Sequence, residues 1–220
     1  MKVIHRFYLH TSSSQKKKVI SYIIYLVVAL AILAFMAYSY SVLILIFLPF
    51  VISIFAPFID VPMGRKQGHL IYYSPLLLAS AMKNGKIVLH GGTLFDYYFT
   101  LSVNKSERRN RKMVIYSYTE GMINLLDIWD EQFDDIKLSA TAYFINPKTA
   151  KRLGFRQVDT NPLTKLLMLI NYLPIMISYS IANEELSFPN VFSLKSYEST
   201  LGELRSNKIY LMEMYEKLKS

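Results

Sequence analysis

From Val19 to Ile59 the chain runs 41 residues without one charged side chain, and 35 of them are apolar. A helix rises about 1.5 Å per residue and the hydrocarbon core of a bilayer is about 30 Å thick. One straight helix over this run would be roughly twice as long as a single span needs. The run therefore predicts two membrane-spanning helices, about 19–37 and 42–59, turning at Tyr38-Ser39-Tyr40-Ser41. Tyr38 and Tyr40 then sit where amphipathic rings favour the membrane–water interface. Pro49 and Pro57 fall inside or at the end of the second helix, where proline bends the chain. The competing reading is a hairpin buried in a soluble core, but a core helix seldom keeps every face apolar for so long. A secretory signal has an apolar region of only about 7–15 residues, too short to account for the run.

Charge orients the hairpin. Residues 1–18 carry Lys2, Arg6, Lys16, Lys17 and Lys18 and no acid, and Arg65, Lys66, Lys83 and Lys86 follow the run against Asp60 alone. The turn is uncharged, so the positive-inside rule keeps both ends cytoplasmic. The whole chain has a net charge of +9, from 25 basic and 16 acidic side chains. More than half of that excess lies in the 18-residue tail beside the bilayer. This favours a clasp on anionic lipid headgroups over a nucleic-acid footprint. Without cysteine the chain has no thiol nucleophile, disulfide or cysteine metal site.

Outside the run the composition, about 45% apolar, is that of a globular chain. The expected organisation is a basic tail (1–18), the hairpin (19–59), an α+β domain (60–158) and a C-terminal helical region (159–220). Residues 61–68 read as a linker leaving the bilayer. Leu76 to Met82 reads as a short helix stopped by Asn84-Gly85, and Lys86 to His90 as a strand closed by Gly91-Gly92. Thr93 and Asp96 form a loose capping box for a helix. Yet Tyr97, Phe99, Leu101 and Val103 alternate with smaller or polar neighbours, and this favours a strand over 96–103. Helical spacing marks 119–133, a β-rich run covers 136–145, and Asn146-Pro147 starts a helix that Gly154 stops before a strand at 155–158. Leu163 to Ala182 is apolar but interrupted by Asn171 and Pro174. It reads as a helix on the membrane or packed on the domain, with a third span as the alternative. Residues 196–219 read as an amphipathic helix.

Few residues suggest chemistry. His90-Gly91-Gly92-Thr93 is a tight turn whose glycines let the backbone approach a phosphate. Its other reading is a structural turn with Thr93 as a cap. Asp96 could pair with His90, making a candidate acid–base couple, and Glu120 is a further candidate base. Arg108, Arg109 and Arg111, in the basic run 105–112, suit phosphate or headgroup binding, or a solvated loop near lipid. Asp127, Asp130, Glu131, Asp134 and Asp135 form an acidic helix end, more simply solvated than metal-binding. No metal site is expected, and His5, His10 and His69 have no ligand-like partner at useful spacing.

The segment 136–155, ending in Leu153-Gly154-Phe155, resembles the late strand–helix unit of GNAT-type N-acyltransferases. With helix 119–133 before it, the resemblance covers about 35 residues. It implies a GNAT-like domain and an acyl-CoA donor held through its phosphates by Arg108, Arg109 and Arg111, with His90, Asp96 or Glu120 as base. The residues themselves, lacking any complete catalytic set, favour an integral membrane protein whose cytoplasmic α+β domain binds a protein or lipid partner without catalysis.

Overall fold

A computed structural model describes residues 3–101, 107–143 and 145–219, and the side chains of residues 107–109 lie outside that description. Helix α1 (Ser12–Ser39) begins at Thr11, whose hydroxyl accepts from the Ser14 N–H. A turn at Tyr40-Ser41 and a 3-10 segment (Val42–Phe47) lead into α2 (Leu48–Lys66). Two stretches, Ser12–Ser39 and Val42–Lys66, are long and apolar enough to cross a membrane. Both overrun the expected ends by about seven residues. The polar start of α1 caps itself, and α2 continues through Pro57 and Pro62 across the expected linker. Pro49 stands in the first turn of α2, where a missing N–H leaves no helix bond unmade.

The rest is a mixed α+β domain. Its strands are β1 (Leu70–Ser74), β2 (Leu77–Ser80), β3 (Lys86–Gly91), β4 (Lys137–Ala142), β5 (Arg156–Val158) and β6 (Lys195–Thr200). Among the described residues they form one six-stranded sheet in the order β1-β2-β3-β4-β6-β5. All neighbours are antiparallel except β3 and β4. A parallel pair needs a long crossover, and here it runs through α3 (Leu94–Thr100) and α4 (Glu107–Ile128). The short helix α5 (Pro147–Arg152) joins β4 to β5, capped by the Asn146 side chain on the Lys148 N–H. Helices α6 (Pro162–Ile170) and α7 (Tyr172–Asn183) precede β6, and α8 (Leu201–Ser206) and α9 (Lys208–Lys219) close the chain.

Several elements depart from expectation. Leu77, Leu78 and Ala79 are buried on both sides of β2, a continuous apolar run that period alone cannot tell from a helix. Residues 96–103 were expected as strand, but α3 occupies 94–100, started by the Thr93–Asp96 capping box. Leu163 to Ala182 divides at Asn171 into two helices bent by 69°. The last expected helix begins with strand β6.

Two faces of the sheet meet different partners. Tyr73, Leu77, Ala79, Ile87, Leu89, Leu138 and Tyr197 pack on Leu125 and Leu126 of α4 and on Leu201, Leu204 and Leu211 beyond. On the opposite face, Leu70, Tyr72 and Leu78 pack on Phe95 and Phe99 of α3, on Phe58 and Val61 of α2, and on Phe7. The base of the hairpin and the N-terminal segment are thus part of the domain core. Phe7 is fully buried, contributing roughly 1.5–3 kcal/mol by removal of apolar surface from water.

Candidate functional site

Asp96 is the most enclosed charged residue of this junction, with no exposed surface. The capping box puts it on the first turn of α3, where a carboxylate also favours the helix dipole. One carboxylate oxygen, Oδ2, accepts from the Thr93 N–H at 2.7 Å and the Thr93 hydroxyl at 2.8 Å. The other, Oδ1, accepts from the Tyr72 hydroxyl at 2.5 Å and lies 3.2 Å from Nε2 of buried His5. A buried carboxylate is tolerated only when hydrogen-bonded in this way. Burial, and then the charge of Asp96, raise the Tyr72 pKa far above its ordinary value, so Tyr72 is a phenol donor. The Tyr72 hydroxyl is also 3.3 Å from that of Tyr8, whose ring lies 3.7 Å below the Arg65 guanidinium at the end of α2.

The neighbouring Arg6 finishes the same helix at its other end. Its guanidinium donates to the backbone carbonyls of Tyr98, Phe99 and Leu101 at 2.7–3.0 Å. A cation there satisfies carbonyls that the last helical turn leaves without partners. Of the tail's expected headgroup-binding cations, Arg6 is therefore committed to protein, whereas Lys16 and Lys17 stay exposed.

The candidate catalytic residues do not assemble. The histidine beside Asp96 is His5, not His90. His90 lies opposite Leu78 near the end of β3, on the face that also carries Val88, exposed and with no side-chain hydrogen bond among the described residues. Desolvation by the atoms flanking its ring lowers its pKa below the ordinary histidine value. Glu120 is on α4, where the Tyr116 hydroxyl donates to it at 3.5 Å while the Tyr116 ring stacks on Tyr215 of α9. Partial burial raises the Glu120 pKa, outweighing the Tyr116 hydrogen bond that lowers it. No two of His90, Asp96 and Glu120 share a hydrogen bond among the described residues.

The glycine turn is filled from inside. A Cβ on Gly91 would stand 2.5 Å from the Tyr118 hydroxyl oxygen, and one on Gly92 2.9 Å from Leu76. The Gly92 N–H donates to the Leu76 carbonyl, and both donors of Thr93 go to Asp96. The donors that a phosphate would need at Gly92 and Thr93 are already occupied. Arg111 ties α4 to the end of α7 through Asn183 at 2.8 Å and Glu185 at 3.8 Å. The side chains of Arg108 and Arg109 lie outside the described residues. Two of the acidic residues are paired as well, Asp127 with Lys208 and Asp134 with Arg205. No group of three or more His, Asp or Glu among the described residues is placed to hold a metal ion.

The remainder of the hairpin-facing sheet face is open. Beyond β2 it carries Val88, His90, Ser139, Thr141, Ser196 and Glu198, all half-exposed or exposed. Thr141 and Ser196 hydrogen-bond across strands at 3.0 Å, and Lys86 pairs with Glu198 at 3.3 Å. Its signal was legible: Lys137, Ser139 and Thr141 alternate with Leu138, Ala140 and Ala142, the period of a strand with one wet face. No family model matches this chain, and no curated protein or solved structure does.

Proposed function

We propose that the hairpin spans a cell membrane with both ends cytoplasmic, and that it holds the α+β domain at the membrane surface to bind a protein or lipid partner without catalysis. Lys16 and Lys17 at the start of α1, Arg65 and Lys66 at the end of α2, and the uncharged turn support that orientation. The observation that carries the binding role is the half-covered sheet face. The hairpin base, α3 and the N-terminal segment cover its β1–β2 half, while hydroxyls and one ion pair are presented on the other half. Asp96, the most enclosed candidate acid, instead works as a structural rivet between the tail, β1 and α3.

A photocrosslinking residue placed at Thr141 in the full chain tests this reading, with Glu213 on the exposed side of α9 as control. A discrete protein or lipid adduct from position 141 and none from 213 is expected. Acyl transfer from an acyl-CoA, abolished in an H90A variant that keeps the wild-type melting temperature, would overturn it in favour of the acyltransferase reading.

A further inference from the structure

Helix α6 leaves its leucines uncovered. Leu163, Leu166, Leu167 and Ile170 recur at helical spacing on one side, with Thr164, Lys165 and Met168 on the other. In a helix packed on a domain the leucines would be buried. Here Leu163, Leu166 and Leu167 are 60%, 53% and 49% exposed, whereas Ile170, at the end of the ridge, is half-buried like Thr164 and Met168. No residue of α6 is fully buried. The helix is properly capped, with the Asn161 side chain accepting from the Leu163 N–H at 2.8 Å and the Asn171 amide donating to the Leu167 carbonyl at 2.8 Å. Its apolar ridge therefore belongs to a formed helix.

What covers that ridge follows from its neighbours. Helix α6 touches α2, the second helix of the hairpin, whose own apolar side chains are largely unburied. It also touches α7, which packs on α2, α3 and α4 and buries Pro174, Ser178, Ala182 and Asn183. Held by the domain, α7 does not continue α6 in a straight line but leaves it at 69°. We infer that α6 lies along the cytoplasmic surface of the bilayer, its leucine ridge in the acyl-chain boundary and continuous with the lipid-facing side of α2. Lys165, on the opposite side, reaches the headgroups. With the hairpin as one attachment and α6 as a second, the domain cannot swivel about the hairpin axis, which fixes how the open sheet face is presented. The inference rests on the membrane reading of the hairpin.

The chain has no cysteine, so each introduced thiol is unique. Nitroxide labels at L166C, L167C, K165C and, as a hairpin control, V28C are compared in phosphatidylcholine–phosphatidylglycerol vesicles. Dissolved oxygen should relax the labels at 166, 167 and 28, which a water-soluble nickel chelate should not reach; the chelate should reach 165. Chelate access at 166 and 167 with 28 still protected would overturn the inference and leave the hairpin reading intact. Access at 28 as well would overturn the hairpin reading itself. Spin–spin broadening at 166 would put a second copy, not lipid, on the ridge. Labelling of F188C and K16C from opposite sides by an impermeant thiol reagent would make α6 and α7 a third span, which also overturns it.

Discussion

His5 Nε2 lies 3.2 Å from Asp96 Oδ1, joining residues 91 positions apart on either side of the apolar hairpin. Val3, His5 and Phe7 are all buried. The hairpin is consequently an insertion within the domain, with the first strip of domain core preceding α1 and the rest following α2. Thermal or chemical loosening of the domain should be felt at residues 3–10 and at the base of the hairpin together.

Removing the carboxylate should be the most disruptive single change at this junction. An Asp96→Ala chain leaves the Thr93 N–H, the Thr93 hydroxyl and the Tyr72 hydroxyl without their acceptor, and each buried donor so orphaned costs about 1–3 kcal/mol. Asp96→Asn keeps an oxygen for Thr93 and should lose less. Trp129, the single tryptophan, donates to the Tyr73 hydroxyl at 3.0 Å and reports the domain's unfolding by its emission. An Asp96→Ala midpoint equal to that of the parent would refute the rivet.

Phe7 tests whether the N-terminal segment is core or merely adjacent. Phe7→Ala should cost about 3–5 kcal/mol, the usual range for a buried phenylalanine. It should also release Arg6 from the carbonyls of Tyr98, Phe99 and Leu101. Brief trypsin treatment then cuts after Arg6 in the variant and not in the parent. Equal cutting in both would mean that the segment is not docked.

The hairpin was legible because it depends only on a long apolar window. Strand β3 and the β4–α5–β5 unit were legible because Gly91-Gly92, Asn146-Pro147 and Gly154 mark their ends; Gly154 has φ +87°, which glycine alone adopts at little cost. Helix α3 was misread because nearly all of it is buried between the sheet, the hairpin and α7, so no wet face leaves a helical period. Its capping box was the more reliable signal. Strands β1 and β6 were missed, and each owes its place to neighbours distant in sequence. Of the site around Asp96, only Asp96 and Thr93 were legible in the sequence; His5 and Tyr72, which complete it, were not. Nothing local in Ile4-His5-Arg6 announces Asp96, and the nearer histidine, His90, was the natural partner to expect.

Glu120 should make the domain less stable at neutral pH than its glutamine variant. Its folded pKa is raised above 4.5, chiefly by burial, so the native state holds the proton more tightly than the unfolded chain. The stability linked to it is fully present below the unfolded value and is lost as pH rises through the folded value. Glu120→Gln keeps an acceptor for the Tyr116 hydroxyl and removes that loss. Melting temperatures measured from pH 4 to pH 7.5 should converge at the acid end, with the variant higher at the neutral end. A variant that melts lower at neutral pH would contradict the assignment.

The Gly91 turn separates a packing role from a ligand-binding one by a double-mutant cycle. Gly91→Ala drives a methyl to within 2.5 Å of the Tyr118 hydroxyl oxygen, and overpacking of this kind costs about 1–3 kcal/mol. Tyr118→Phe removes that oxygen together with its contact to the Tyr97 hydroxyl at 3.4 Å, a smaller loss of about 1 kcal/mol. If the glycine is there to admit Tyr118, the two changes are coupled, and the double variant melts above Gly91→Ala alone. If the glycine instead admits a phosphate-bearing ligand, Tyr118→Phe gives no rescue and the two losses add. Melting temperatures of the four chains decide it, because the cycle reads a contact wholly inside the protein and needs no knowledge of a ligand.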